Sequence, residues 1–284
     1  MYASRGVAFQ RDETVPHVVP HRWAEAGRSR GQMQRDAAQP PPRELPHLTT
    51  GQMREVDRLM VEKYGIELVQ MMENAGRHLA ALARDRFLDG DPTGRDVVLL
   101  AGRGGNGGGG LVAARRLHSW GGHVRVLLSS PPREYGGVPA RQLAILRELD
   151  IRCDHQKAAL PISGADLVID SFIGYSLRGD PRGAAASLIR RANESSAPVL
   201  SLDLPSGLDA TTGEQKNPTV RAAATLTLAL PKAGLRAAAG CTGELYLADI
   251  GVPPELYSEP TLGLEVGPIF AHQEILRLRS LPAS

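Results

Sequence analysis

The sequence has little of what marks secreted, membrane or nucleic-acid-binding proteins. Cysteine occurs twice in 284 residues, at Cys153 and Cys241, far apart and with no CxxC spacing. A disulfide framework is thereby excluded, and the pair reads as two reduced thiols of an intracellular protein. Aromatic residues make up only 4%, too few to furnish base-stacking platforms. No stretch reaches the roughly 20 apolar residues that a membrane helix needs. Charge of one sign is also missing: the formal net charge is +2, which gives no reason to expect nucleic acid or an acidic surface as partner. What remains is a cytoplasmic globular protein with no membrane partner.

Glycine, in contrast, is concentrated in one place. Val97-Val98-Leu99-Leu100-Ala101 reads as a buried strand and runs into Gly102-Arg103-Gly104-Gly105-Asn106-Gly107-Gly108-Gly109-Gly110. A helix is expected to follow, with Leu111, Ala114, Arg115 and Leu117 at helical spacing. A glycine-rich turn between strand and helix lets a ligand approach bare backbone, and the free amides of the helix start favour an anion. Gly102, Gly104 and Gly107 satisfy G-x-G-x-x-G, but the next strand, His123 to Leu128, ends on Ser129-Ser130-Pro131-Pro132. The carboxylate that would bind a ribose there is missing, which weakens an ordinary dinucleotide dehydrogenase. No Gly-Lys-Ser/Thr follows the glycines, which excludes a P-loop.

Residues 1–46 are rich in Arg, Gln, Pro and His, with Pro40-Pro41-Pro42 and no sustained periodicity. Such a stretch cannot bury enough apolar surface to offset its ordering entropy, so it reads as a disordered N-terminal tail. Asp12, Glu13, Glu25 and Asp36 argue against a transit peptide. One folded domain is expected over 47–275, followed by a C-terminal tail at 276–284. It opens with a helix capped at Leu48-Thr49-Thr50 and a second helix over 67–87 that carries Met72-Glu73-Asn74-Ala75-Gly76. Glu73 and Asn74 read either as a solvated face or as a pair reaching the glycine run.

Two later strands end alike. Asp166 to Asp170 ends on a carboxylate, and Ser171 to Asp180 follows as a loop with two glycines and Arg178. Pro198 to Asp203 also ends on a carboxylate, with Leu204-Pro205-Ser206-Gly207 after it. Ligands of open parallel sheets sit at the carboxyl ends of the strands, so both aspartates occupy functional positions. Helices near 140–149 and 184–193, and strands near Arg152, Thr225 to Leu230 and Glu244 to Ile250, complete an alternating pattern. That pattern predicts an α/β fold with a mainly parallel sheet and helices on both faces.

Five ordered motifs carry a resemblance: Met72 to Gly76, the glycine run at 102–112, Asp170 with Gly174 to Asp180, Asp203 to Gly207, and Pro231-Lys232-Ala233-Gly234-Leu235. Over about 48–255 their order and spacing are similar to the YjeF N-terminal domain, the NAD(P)H-hydrate epimerases. The resemblance implies a Rossmann-like three-layer α/β/α sandwich, usually homodimeric. It also implies interconversion of the R and S epimers of hydrated NADH or NADPH, a nicotinamide-nucleotide repair reaction. A dehydratase consumes the S form, and the length of this chain implies that it resides on another protein. Position by position, Asn106, Asp170 and Ser206 match the family's potassium ligands. Gly105, Asn106, Gly107, Gly108 and Gly109, then Gly174, Tyr175, Ser176, Leu177, Arg178, Gly179 and Asp180, and Asp203 match its substrate-binding positions. Asp203 is the candidate acid/base. Hard oxygen ligands suit an alkali cation, and loop amides suit a pyrophosphate.

Gly105 and Gly109 stand where the family pattern has Asn and Asp. That departure keeps a second reading open, a dimeric ligand-binding or scaffold module of the same fold with weakened or absent catalysis.

Overall fold

A computed structural model describes residues 45–155 and 162–278. The tail expected over 1–46 lies outside the described residues except for Leu45 and Pro46, as do residues 279–284. The domain begins with α1 (Thr50–Glu62), capped by Thr49 as the sequence predicts, and the structure adds Gln52 to make a capping box. Thr49 Oγ1 accepts from the Gln52 amide at 3.2 Å, and Gln52 Oε1 accepts from the Thr49 amide at 3.0 Å. Met53, Val56, Leu59 and Met60 form its buried stripe. The second helix, α2 (Leu68–Phe87), buries Met72, Ala75, Gly76, Leu79 and Ala83 among others.

Strands and helices then alternate: β1 (Asp96–Ala101), α3 (Gly105–Ser119), β2 (His123–Leu128), α4 (Gly137–Glu148), β3 (Arg152–His155), β4 (Leu167–Ser171), α5 (Gly183–Glu194), β5 (Val199–Leu202), β6 (Ala224–Leu228) and β7 (Glu244–Ala248). A last strand, β8 (Ile275–Leu278), pairs antiparallel with β7. The other strand pairings within the sheet are parallel, and the order is β3-β2-β1-β4-β5-β6-β7-β8. The sequence reading places no strand after residue 250. Ile-Leu-Arg-Leu is too short to show a period, and only the open edge of β7 selects it.

The faces of β1 divide the core. Val97, Leu99 and Ala101 pack with α2, α3 and α4, whereas Val98 and Leu100 pack with α5 residues Leu188 and Ile189. Helices therefore cover both faces, giving the expected α/β architecture. Cys153 and Cys241 are free, and burial pushes both thiols up to about 11. Among the described residues no helix is long and apolar enough to cross a membrane.

The glycine run departs from the expected loop. After Gly104 as N-cap, it forms the first two turns of α3, and Gly107, Gly108, Gly109 and Gly110 are all buried there. Glycine is the poorest helix former after proline, by about 1 kcal/mol per residue relative to alanine, so sequence alone favours a loop. Close packing overrides propensity. A Cβ on Gly107 would lie 1.8 Å from the Gly102 carbonyl oxygen, and one on Gly110 would lie 2.0 Å from Ser171 Oγ. Helix α3 lies against the sheet and α2 at distances that no side chain permits. Gly107→Ala should lower stability by about 2 kcal/mol, because an overpacking cost of about 3 kcal/mol exceeds the helix-propensity gain of about 1. Urea unfolding reads this as a lower midpoint, and an unchanged midpoint would show that the turn at 102–107 yields freely.

Candidate active site

In the order β2-β1-β4-β5, sequential strands run outward in both directions from β1 and β4, the crevice where open α/β sheets bind ligands. A cleft of about 820 Å³ opens there, within the range of small-molecule sites. Its lining comes from the start of α3 (Gly104, Gly105, Asn106), the exit of β4 (Phe172 to Ser176) and the end of β5 (Leu202, Asp203). Met53 and Asp57 of α1 and Met72 of α2 close it from the side.

Asp203 lies on the floor. Its φ of +66° is left-handed, a conformation that non-glycine residues hold only when the surroundings enforce it. Its amide donates to the Leu226 carbonyl at 2.7 Å, and its carboxylate pairs with Lys232, which also donates to the Leu228 carbonyl at 2.7 Å. Lys232 is 0% exposed and Asp203 3%. Neither charge is stable there without the other. The Lys232 loop is stitched to the segment before α1: the Leu48 amide donates to Pro231 O at 2.8 Å, and the Ala233 amide to Leu48 O at 2.9 Å. That pairing brings α1 to the site.

From α1, Asp57 accepts a short hydrogen bond from the Tyr175 hydroxyl, while Thr50 Oγ1 donates to the Tyr175 carbonyl at 3.3 Å. Burial pushes the Asp57 carboxyl above its ordinary range. Tyr175 and the charge of Lys232 oppose that rise, and the charge of Asp203 adds to it. Burial likewise raises the Tyr175 hydroxyl, assisted by the charge of Asp57.

Asp170 and Ser206 are hydrogen-bonded to each other and buried, while half-buried Asn106 lines the cleft at the start of α3. Asp170 is 0% exposed and accepts from Ser201 Oγ (2.8 Å), the Ser206 amide (2.8 Å), Ser206 Oγ (2.6 Å) and the Phe172 amide (3.3 Å). Burial raises its carboxyl, and the bonds from Ser206, Ser201 and Phe172 oppose the rise. Asn106 donates from Nδ2 to the Leu202 carbonyl at 3.1 Å, but its Oδ1 is buried without a hydrogen-bond partner. A Cβ on Gly174 would touch both Asp203 Oδ2 (3.1 Å) and Asn106 Cγ (3.3 Å). Glycine at 174 therefore lets the β4 exit close over Asn106 and Asp203.

Gly105, Asn106, Gly174, Tyr175, Ser176 and Asp203 all line the cleft. The other residues expected in the substrate loops lie elsewhere. Gly107, Gly108 and Gly109 are inside α3, facing Gly102, Met72 and Leu202. Arg178, Gly179 and Asp180 are exposed, Leu177 is half-buried, and none of the four lines the cleft. Asp180 instead accepts from the Asn217 amide at 3.0 Å. Glu73 clamps α2 to α3 through Arg115 (2.6 Å) and Arg116 (3.0 Å), and Asn74 donates to Ile250 O at 3.4 Å.

Sequence reasoning missed Asp57, Lys232, Arg103 and Arg182 as cleft residues. Lys232 carried a signal, its place in Pro231-Lys232-Ala233-Gly234-Leu235. Asp57 carried a weaker one, an acid one turn after buried Met53. Arg103, paired with Glu134 at 3.2 Å, and Arg182, Ser129 and Ser130 also line the cleft, side chains of the kind that bind phosphate.

A family described as YjeF-related protein N-terminus matches residues 68–234. An NAD(P)H-hydrate epimerase of Dehalogenimonas lykanthroporepellens is 45% identical over 221 residues, covering 76% of this chain and 86% of its own. One of Truepera radiovictrix is 39% identical over 219 residues, covering 77% and 94%. A bifunctional NAD(P)H-hydrate repair enzyme Nnr of Salinibacter ruber is 37% identical over 225 residues, which span 74% of this chain and 41% of that relative. In fold, the crystal structure of yeast ynu0 is similar, with a TM-score of 0.70 and 24% identity over 82% of this chain and 100% of that one.

Proposed function

The chain belongs to the YjeF-related N-terminal family, and from that premise we propose that its cleft epimerises hydrated NADH and NADPH, interconverting their R and S forms. The observation that carries this reading is the buried Asp203–Lys232 pair on the floor of the switch-point cleft. It sets one carboxylate, fixed in position, against whatever the cleft binds. Asp203 then protonates the departing hydroxyl at C6 of the nicotinamide ring or deprotonates the arriving water. The ring passes through an iminium, and water returns on the other face. The amides at the start of α3, with Arg103 and Arg182, suit the pyrophosphate.

The residues also fit a potassium ion. Asn106 Oδ1 is an orphaned buried acceptor, and Asp170 is a fully buried carboxylate beside the Ser206 hydroxyl. These are hard oxygen donors, and a cation among them supplies positive charge against the substrate's phosphates. Asn106, Asp170 and Ser206 would hold it. We expect potassium chloride to raise the melting temperature above that in tetramethylammonium chloride of equal ionic strength, since a ligand of the native state stabilises it. Asp170→Asn should abolish the difference, and equal melting temperatures in both salts would remove the ion from the account.

The product S form would pass to a dehydratase, the protein would work in the cytoplasm with the cofactor pool, and it would act as a homodimer. Exposed Val61 and Leu68 on α1 and α2 support these helices as the interface. A Cβ on Gly105 would meet nothing closer than Met72 Cε at 3.6 Å, so packing does not demand glycine at this position.

The deciding experiment couples purified protein to an S-specific dehydratase with ATP and potassium, starting from R-enriched hydrated NADH. Recovery of NADH absorbance faster than without protein establishes the epimerase. No acceleration by folded protein favours the binding or scaffold module.

A further inference from the structure

Inversion by loss and return of water makes a demand that Asp203 alone does not meet. A proton goes to the C6 hydroxyl, and the C–O bond breaks with its electron pair leaving as water. The ring nitrogen lone pair forms the C=N bond. Water then adds on the opposite face and gives its proton to a base. Nothing is oxidised or reduced. The departing and arriving waters lie on opposite faces of the ring, so the donor and acceptor stand on opposite sides of it. Asp203 is held in one place by Lys232 and by its own backbone, so it serves one face.

Among the described residues lining the cleft, the carboxylates are Asp57, Glu134 and Asp203. Glu134 is engaged with Arg103 at 3.2 Å on the exposed rim. Asp57 reaches the cleft from α1, an element different from the one that carries Asp203. Its partner Tyr175 belongs to the loop that closes over Asp203 and Asn106. We propose that Asp57 is the second proton-handling group of this cleft, serving the ring face opposite Asp203, with Tyr175 as its positioning residue.

The proposal rests on the epimerase reading. It assigns reciprocal roles: in the R-to-S direction that the coupled assay follows, Asp57 donates and Asp203 accepts, and in the reverse direction they exchange. The groups that face Asp57 are Tyr175 from the β4 exit, Lys232 from the loop after β6 and Asp203 after β5, with Arg54 acting on Tyr175. Burial raises the Asp57 carboxyl most strongly, the direction a proton donor requires.

The test measures kcat and KM from about pH 5 to pH 9 in the coupled assay, with dehydratase in excess, for wild type, Asp57→Asn and Tyr175→Phe. Asp57→Asn should lower kcat about 100-fold with KM changed less than about threefold. It should also remove the limb in which the wild-type rate falls as pH rises, because that limb is loss of the donor's proton. Tyr175→Phe removes a bond that favours the charged carboxylate, so the same limb should move to higher pH; this variant decides the matter if Asp57→Asn does not fold. A folded Asp57→Asn with near-normal kcat, or a limb unmoved in Tyr175→Phe, overturns the proposal alone. An inactive wild type overturns the epimerase reading, and the proposal with it.

Discussion

Asp203→Asn is expected to lower kcat for epimerisation by about 10²–10⁴-fold, the range associated with losing a positioned acid or base. Asparagine keeps the shape and can still accept from Thr227 Oγ1, 3.5 Å away in the wild type, but it cannot carry a proton between substrate and water. A carboxylate that only held a ribose hydroxyl would behave differently: its loss would raise KM and leave kcat largely intact. The kcat-to-KM split therefore separates chemistry from binding, and near-normal kcat would remove Asp203 from the mechanism. Folding must be controlled. The variant leaves buried Lys232 without its carboxylate, so rates are to be compared well below the variant's melting temperature.

Lys232→Met is expected to cost about 3–5 kcal/mol of stability, because it strands the Asp203 carboxylate in a site with almost no solvent access. For a domain of this size that corresponds to a fall of roughly 6–20 °C in melting temperature. The expectation rests on burial rather than on the presence of a salt bridge. Arg58–Glu62 on α1 has the same pairing chemistry, but its side chains are 46% and 62% exposed, and its removal should cost no more than about 1 kcal/mol. Adding Asp203→Asn to Lys232→Met should restore part of the loss, since an unpaired buried charge and not a missing attraction is what destabilises. A double variant no more stable than Lys232→Met would show that the cost comes from packing around the lysine stem.

The sequence by itself determined the fold class and the two strand-end aspartates. Buried parallel strands are short apolar runs, amphipathic helices repeat near 3.6 residues, and a carboxylate that ends such a strand stands at the crevice. These patterns are local. The threonine N-cap before α1 was legible for the same reason. Tertiary structure alone decided the glycine run, which is helix rather than loop because α3 lies against Gly102 and Ser171 at distances only glycine permits. It also decided the edge strand Ile275–Leu278, which an open neighbour selects. Most of all, it decided which distant residues share the cleft. Asp57, Tyr175, Asp203 and Lys232 lie on α1, after β4, after β5 and after β6, and no local period links them. They meet because the segment before α1 pairs with the Lys232 loop and because Gly174 leaves room over Asp203. Residue chemistry can be read along the chain, but the proximity that turns separate carboxylates into a reaction site is a property of packing.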